Sequence, residues 1–147
     1  MLMYKFLLTI VLVAFCGGVL AQHKKKRSAK KHPTEKHTPI ENGIGIASYY
    51  SDKLQGSKTA TGERFDNELL TAASNSFKLQ TWVRVTNLSN NKQVVVRIND
   101  RMHRKMVKRG RIIDVSKSAA VALDFIKNGL VKVKVEITEA PTDANKP

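Results

Sequence analysis

The sequence predicts a mainly β protein, a small barrel with one short helix, preceded by an export signal and a basic linker. Three observations lead to this fold class. Short apolar stretches with alternating polarity recur after residue 43 and are separated by turn residues, as in proteins built from short strands. Only residues 116–129 combine helix caps with helical spacing. The first 42 residues show no pattern that would fill a folded core.

Residues 1–21, MLMYKFLLTIVLVAFCGGVLA, predict a cleaved signal peptide. Their apolar core, from Phe6 to Phe15, is shorter than the roughly 20 residues of a membrane-spanning helix, and small residues precede a cut after Ala21. The alternative is a single membrane anchor. Cys16, the chain's one cysteine, follows the bulky Phe15, which disfavours a lipid anchor. We therefore expect an exported protein, without disulfides once the signal is removed.

Residues 22–42, QHKKKRSAKKHPTEKHTPIEN, predict a disordered basic linker. The segment holds seven Lys and Arg against two Glu, two prolines and almost no large apolar side chain, so it cannot offset the entropy cost of ordering. Its three histidines are irregularly spaced among lysines, so no metal site is predicted. With a net charge of +14 for the whole chain, attraction to anionic wall polymers is a weaker functional interpretation. No aromatic residue interleaves the charges, and no nucleic-acid partner is expected.

The barrel domain is predicted to span residues 43–138, with a disordered tail over 139–147. Residues 81–88 alternate so that Val83 and Val85 face inward, and Asn90-Asn91 indicates a hairpin turn because asparagine tolerates positive φ. The predicted strands lie in GIGIASYY (43–50), TWVRVTNL (81–88), KQVVVRI (92–98), RIIDV (111–115) and LVKVKVEI (130–137). The inward side chains of the third and last are Val94, Val96 and Ile98, and Val131, Val133, Val135 and Ile137.

One helix is predicted, in SKSAAVALDFIKNG. Ser116 is a suitable N-cap and Gly129 a suitable C-terminal residue. The apolar stripe consists of Ala119, Ala120, Leu123 and Ile126.

Carboxylates are the side chains best placed for chemistry. The residues after 42 contain one histidine, His103, and no cysteine, so we expect neither a metal site nor a cofactor. Glu63 follows Gly62 in a loop, Asp100 ends an apolar strand, and Asp114 directly precedes the helix. Each has a structural alternative: Glu63 as an ordinary loop acid, Asp100 as a partner of Arg101, and Asp114 as a favourable charge near a helix N-terminus.

The order and spacing of three motifs resemble the rare lipoprotein A family. The motifs are GIASYYSDKLQGSKTATGERFDNELLTAAS, TWVRVTNLSNNKQVVVRINDR and GRIIDVSKSAAVAL. The resemblance covers nearly all of residues 43–137. It implies a six-stranded double-psi β-barrel and a lytic transglycosylase that acts on peptidoglycan glycan strands, preferring strands stripped of stem peptides. Related barrels in plant expansins bind polysaccharide, so a glycan groove recurs on this architecture.

The resemblance also implies site residues. Asp100, Glu63 and Asp114 match the family's acids, with Asp100 as the expected acid/base catalyst. Two departures stand out: Ser74 occupies a position where the family commonly has histidine, and Met102-His103 replaces a usual Gly-Pro. Substrate contacts are expected from Tyr49, Tyr50, Ser74, Asn99 and Arg101.

Two functions follow from this comparison of motifs. The first is cleavage of glycan strands with formation of 1,6-anhydro products, by a monomer whose partner is peptidoglycan. The alternative is an expansin-like module that binds peptidoglycan or another polysaccharide without cleaving it, which the loss of the histidine favours.

Overall fold

The computed structural model describes residues 41–142, which form a closed six-stranded barrel. The predicted signal peptide, nearly all of the predicted linker and residues 143–147 of the predicted tail lie outside the described residues. The strands are β1 (Asn42–Tyr49), β2 (Thr71–Ala73), β3 (Trp82–Asn87), β4 (Gln93–Asp100), β5 (Arg111–Val115) and β6 (Val131–Ile137). The helices are α1 (Arg104–Val107) and α2 (Lys117–Ala122), with a short 3₁₀ turn at Asp52–Leu54. The mainly β, six-stranded fold class is confirmed.

Around the barrel the strands run in the order β1-β5-β2-β4-β3-β6. β1 pairs with β5, and β2 with β4, in parallel; the other four pairings are antiparallel. Closure pairs both edges of every strand, so no strand is left with an exposed edge of unpaired N–H and C=O groups.

Alternation along the strands fills the barrel interior as predicted. Val83, Val85, Val96 and Ile98 are fully buried, and in β6 the buried positions are Val131, Val133 and Val135. The prediction for Ile137 was wrong: its side chain is 48% exposed, because it ends β6 at the rim of the barrel, beyond the packed interior. Asn91 has φ of 59°, which confirms a turn between β3 and β4 at Asn90-Asn91.

The predicted helix exists but is shorter than expected. The Ser116 Oγ accepts a hydrogen bond from the Ala119 N–H at 3.4 Å, and Ala119 and Ala120 are fully buried. The chain leaves the helix after Ala122, and Asp124 takes a left-handed conformation with φ of 56°. Gly129 therefore lies in a later turn and does not end the helix.

Two elements were not expected from the residues alone. β2 has three residues, too few for alternation to be visible, yet it lies between β4 and β5. The expectation of one helix was also wrong, because α1 forms a single turn at residues 104–107. This segment carries no buried residue, so it lacks the apolar stripe by which a helix is recognised in a sequence.

Candidate active site

Two of the predicted acids meet across the shortest strand. Ala73 of β2 pairs with Asp100 of β4 on one side and with Asp114 of β5 on the other. Side chains at paired positions of a sheet project from the same face. The register of β2 against β4 shifts between Ala72 and Ala73, so that Asp100 and not Asn99 stands opposite Ala73. The barrel therefore places two aspartates at paired positions on either side of one alanine, although fourteen positions separate them in the sequence.

Asp100 holds three hydrogen bonds that join separate parts of the chain. Its Oδ2 accepts from the Tyr50 hydroxyl at 2.8 Å. Its Oδ1 accepts from the backbone N–H of Ala60 at 2.9 Å and of Arg101 at 2.8 Å. These three hydrogen bonds hold the end of β4, the residue after β1 and the loop around Ala60 at one carboxyl group.

Tyr50 is held rigidly beside both aspartates. Its ring lies 4.3 Å, centroid to centroid, from the ring of Phe65, which is only 2% exposed. Burial raises the pKa of the Tyr50 hydroxyl well above its usual range, and the hydrogen bond to Asp100 and the charges of Asp100 and Asp114 raise it further. The hydroxyl therefore keeps its proton at neutral pH and stays available as a donor.

Asp114 is largely enclosed, with its side chain 13% exposed. Arg111 donates to its Oδ1 through Nε at 2.8 Å. Burial raises the pKa of the Asp114 carboxyl, while the hydrogen bond and charge of Arg111 oppose that rise. The direct partner of this acid is therefore an arginine of its own strand.

Glu63 is fixed as a charged group. The Arg97 guanidinium donates to both of its carboxyl oxygens, at 2.8 and 2.9 Å, and the Asn99 side-chain amide donates at 3.1 Å. The pKa of Glu63 is lowered to about 2, chiefly by the hydrogen bonds from Arg97 and next by the hydrogen bond from Asn99. Glu63 is thus a carboxylate throughout the physiological pH range.

Arg97 is the residue of this site that sequence reasoning missed. It stands between the inward-facing Val96 and Ile98 of β4 and also donates to the Gln80 side-chain oxygen at 2.5 Å. The signal available was a cation at an outward position of an otherwise apolar strand, next to the acid-bearing end. A single such cation is common on strands, so the position alone did not identify a partner for Glu63.

The loop that carries Glu63 is tied to β4 at three neighbouring positions. Besides the Ala60 contact to Asp100 and the Glu63 contact to Asn99, the Thr61 N–H donates to the Asn99 carbonyl at 3.1 Å. Asn99 itself is 3% exposed. These bonds bring Glu63 to the same end of β4 as Asp100, so all three predicted acids lie around one edge of the barrel.

The other side chains predicted to contact substrate mainly form hydrogen bonds with the backbone around the site. Ser74 is fully buried and donates to the Ile112 carbonyl at 2.8 Å. The Arg101 guanidinium donates to the backbone carbonyls of Ser74 and Phe77. The Tyr49 hydroxyl donates to the Ile126 carbonyl at 3.1 Å. Their roles in substrate binding stay predictions.

His103 does not take the place of the missing family histidine. Its side chain is exposed and caps α1, accepting from the Lys105 N–H through Nδ1 at 3.2 Å. Within residues 41–142 no group of three or more His, Cys, Asp or Glu side chains could hold a metal ion.

Two surface depressions are each lined in part by a hydrogen-bond partner of an aspartate. One, of about 550 Å³, includes Tyr50 together with Ser48, Asp52 and Lys117. The other, of about 290 Å³, includes Arg111. Each depression thus contains a hydrogen-bond partner of one aspartate, Tyr50 for Asp100 and Arg111 for Asp114, and neither is lined by those two aspartates themselves.

Comparisons with known proteins agree with this architecture. The family model described as lytic transglycolase matches residues 42–135. The endolytic peptidoglycan transglycosylase RlpA of Rickettsia bellii is 48% identical over 102 residues, covering 67% of this chain and 44% of that protein. The protein of the same name from Rickettsia felis is 42% identical over 122 residues, covering 81% and 50%. The chain spans about half the length of these relatives.

Solved structures show the same fold at low sequence identity. A Streptomyces papain inhibitor matches with a TM-score of 0.54 and 21% identity, over 69% of this chain and 98% of that one. An expansin of Clavibacter michiganensis in complex with cellohexaose matches with a TM-score of 0.52 and 21% identity, over 69% and 52%. Since an inhibitor and an expansin share this barrel, the fold alone does not assign a function.

Proposed function

Because this chain belongs to the lytic transglycolase family, we propose that it cleaves peptidoglycan glycan strands, leaving 1,6-anhydro products and preferring strands without stem peptides. The observation that carries the proposal is the meeting of Asp100 and Asp114 on either side of Ala73, with Glu63 fastened to the same end of β4. A structural role for any one acid would not require the others to lie nearby.

The proposed reaction consumes no water. The 6-hydroxyl oxygen of an N-acetylmuramic acid residue bonds to its own anomeric carbon, and the bond from that carbon to the next sugar's oxygen breaks. The leaving oxygen gains a proton and the 6-hydroxyl loses one, so one carboxyl group can donate first and accept afterwards. The acid must therefore start in its protonated form.

Asp100 is the proposed acid/base catalyst. It ends β4 at the barrel rim, and its Oδ2 is paired with a hydroxyl, which can donate to the carboxylate or accept from the acid. A tyrosine partner therefore suits both stages of the reaction. Backbone N–H groups hold the other oxygen, so the carboxyl keeps one orientation while its proton is exchanged.

The pKa values of Asp114 and Glu63 are shifted in opposite directions, and the two acids are assigned different tasks. Burial favours the neutral form of Asp114, which makes it the second titratable carboxyl of the site. Glu63 stays ionised beside Arg97, and we assign it to stabilising positive charge that develops at the anomeric carbon. Asn99 and Tyr50 are proposed to orient these carboxyls, whereas Ser74, Arg101 and Tyr49 remain candidates for contact with the glycan.

The proposed site of action is outside the cytoplasm. The names of the matched relatives place their activity on peptidoglycan, a polymer of the cell envelope. We propose that this chain is exported and acts as a monomer. We further propose that the basic residues of 22–42 add affinity for anionic wall polymers.

The test is product analysis on peptide-free glycan strands. Wild-type protein should release anhydro-sugars, and Asp100→Asn should abolish them while leaving the melting temperature within a few degrees. Asp114→Asn should shift the pH dependence of the rate, because it removes a carboxyl whose pKa is raised by burial. Tyr50 and Glu63 are unchanged in both variants, so their contacts continue to support folding of the site.

The buried Ser74, in the position of the family histidine, favours the alternative of glycan binding without cleavage. Sedimentation with insoluble peptidoglycan separates the two functions. Wild-type protein that sediments with the wall but releases no more anhydro-sugar than Asp100→Asn would be a binding module, and the proposed cleavage would be wrong.

A further inference from the structure

A second ladder of paired residues crosses β5, β1 and β6 next to the acids. Ile46 of β1 pairs with Arg111 on one side and with Lys132 on the other. Side chains at paired positions share a face of the sheet. Two cations therefore flank one apolar side chain on the outer surface of the barrel.

A third cation joins this row from the loop before β5. The Ile46 N–H donates to the Gly110 carbonyl at 3.0 Å, which brings the neighbouring Arg109 to the same place. Together these residues line a depression of about 290 Å³, whose full lining is Ile46, Arg109, Arg111, Leu130, Val131 and Lys132. The lining contains three cations, three aliphatic residues and no acid.

The depression is continuous with the acid cluster through Arg111. This residue lines the depression and also binds Asp114 through its Nε at 2.8 Å. Arg109 and Lys132 have exposed side chains, and Leu130 is 55% exposed. A ligand at Asp114 therefore has a neighbouring surface that attracts negative charge and also accepts an apolar group.

We propose that this depression binds the lactyl carboxylate of an N-acetylmuramic acid residue in a glycan strand without stem peptides. The inference rests on the proposed function and names a group of the substrate that the protein recognises. A lactyl ether ends in a methyl group and a carboxylate. The methyl group fits against Ile46 and Leu130, and the carboxylate is placed near Lys132 and Arg109.

The same contact discriminates between substrates. In a strand that carries stem peptides the lactyl carboxyl is an amide, which is neutral and extends into a peptide. The cations then lose their ionic partner. Strands without stem peptides should therefore bind more tightly, because their lactyl carboxylates are attracted to the cations at residues 109 and 132.

The experiment compares one strand in two chemical forms. Peptide-free glycan strands are used as prepared and after conversion of their lactyl carboxylates to methylamides, and dissociation constants are measured with purified protein at low and moderate salt. Wild-type protein should bind the amidated strands about three- to tenfold more weakly, a size set by two or three exposed ion pairs. The difference should shrink as salt increases.

The variant for this test is the double substitution Arg109→Gln and Lys132→Gln, which spares Arg111 and its bond to Asp114. It should bind the free-carboxylate strands several-fold more weakly than wild type and should no longer distinguish the two forms. Arg84→Gln is the matched control, since Arg84 is an exposed cation on β3 and β3 contacts neither β1 nor β5. It should keep the wild-type preference.

Equal wild-type affinity for the two forms would overturn the inference, as would equally strong competition by poly(glycerol phosphate) at matched charge. Cleavage products are measured in the same samples. If anhydro-sugars are released but the protein binds both forms of the strand equally well, this inference is wrong and the proposed function stands. Selective binding without any product sinks the proposed function and leaves the carboxylate site standing.

Discussion

The Tyr50 hydroxyl donates a 2.8 Å hydrogen bond to the Oδ2 of Asp100, joining the residue just after β1 to the last residue of β4. The same tyrosine is electrostatically coupled to Asp114. Tyr50 therefore donates to one aspartate and lies within the electrostatic influence of the other. The family resemblance predicts a substrate contact for Tyr50, whereas its observed contacts favour orientation of a carboxyl.

Tyr50→Phe should lower the rate of glycan cleavage about tenfold and the free energy of unfolding by about 1.5 kcal/mol. The ring can still pack on Phe65, and the lost bond to a charged group is worth roughly 1.5 kcal/mol. Rate and melting temperature are the measurements. In an Asp100→Asn background the same change should have almost no further effect on the rate. Additive losses in the two backgrounds would show that Tyr50 acts through some other contact.

Glu63→Gln should destabilise the protein at neutral pH but not in strong acid. The folded-state pKa of Glu63, about 2, lies below the roughly 4.3 of an unfolded chain. The stabilisation is thus fully present above the unfolded pKa and is lost as the pH falls through 2. Because the side chain is 37% exposed, solvent screening limits the effect to about 1 kcal/mol or less.

Thermal unfolding at several pH values checks this prediction. The gap in melting temperature between wild type and Glu63→Gln should close as the pH approaches 2. Glu139→Gln, which removes an exposed acid outside the barrel strands, controls for the change in net charge. A gap that stayed constant with pH would assign the effect to packing.

Arg111→Gln should destabilise the protein more as the pH rises. Arg111 supplies the contacts that oppose the burial of ionised Asp114, so its removal raises the pKa of Asp114 further. An acid with a raised folded-state pKa disfavours the folded state as the pH rises through that value. The trend is opposite in sign to that of Glu63.

The measurement is the melting temperature of wild type and Arg111→Gln between pH 4 and pH 8. The difference should widen toward high pH and should be largely removed in the double variant Arg111→Gln, Asp114→Asn. An equal loss at all pH values would indicate that Arg111 contributes only packing.

Ser74→Ala should lower the free energy of unfolding by about 1–3 kcal/mol, because it leaves buried backbone groups without a partner. The hydroxyl donates to the Ile112 carbonyl and accepts from the Ser76 N–H. The dissociation constant for glycan decides whether Ser74 also binds substrate. If Ser74 serves only the wall of the site, affinity at a temperature well below unfolding should equal that of wild type, and a large loss would instead support direct contact.

Much of the barrel could be predicted from local patterns. Alternation located β3, β4 and β6 within one or two residues, and RIIDV coincides with β5. β2 escaped detection because three residues carry no measurable period. α1 escaped because a single turn of four residues, none of them buried, is too short to show an apolar stripe.

The sequence by itself determined where five of the six strands lie and where acids stand near their ends, since alternation is a property of neighbouring residues. Only the tertiary structure decided that Ala73 lies between Asp100 and Asp114, that Arg97 holds Glu63 ionised, and that cations flank Ile46. Those relations depend on which strands become neighbours when the barrel closes. Closure is selected by packing of the whole interior, so no local pattern specifies it.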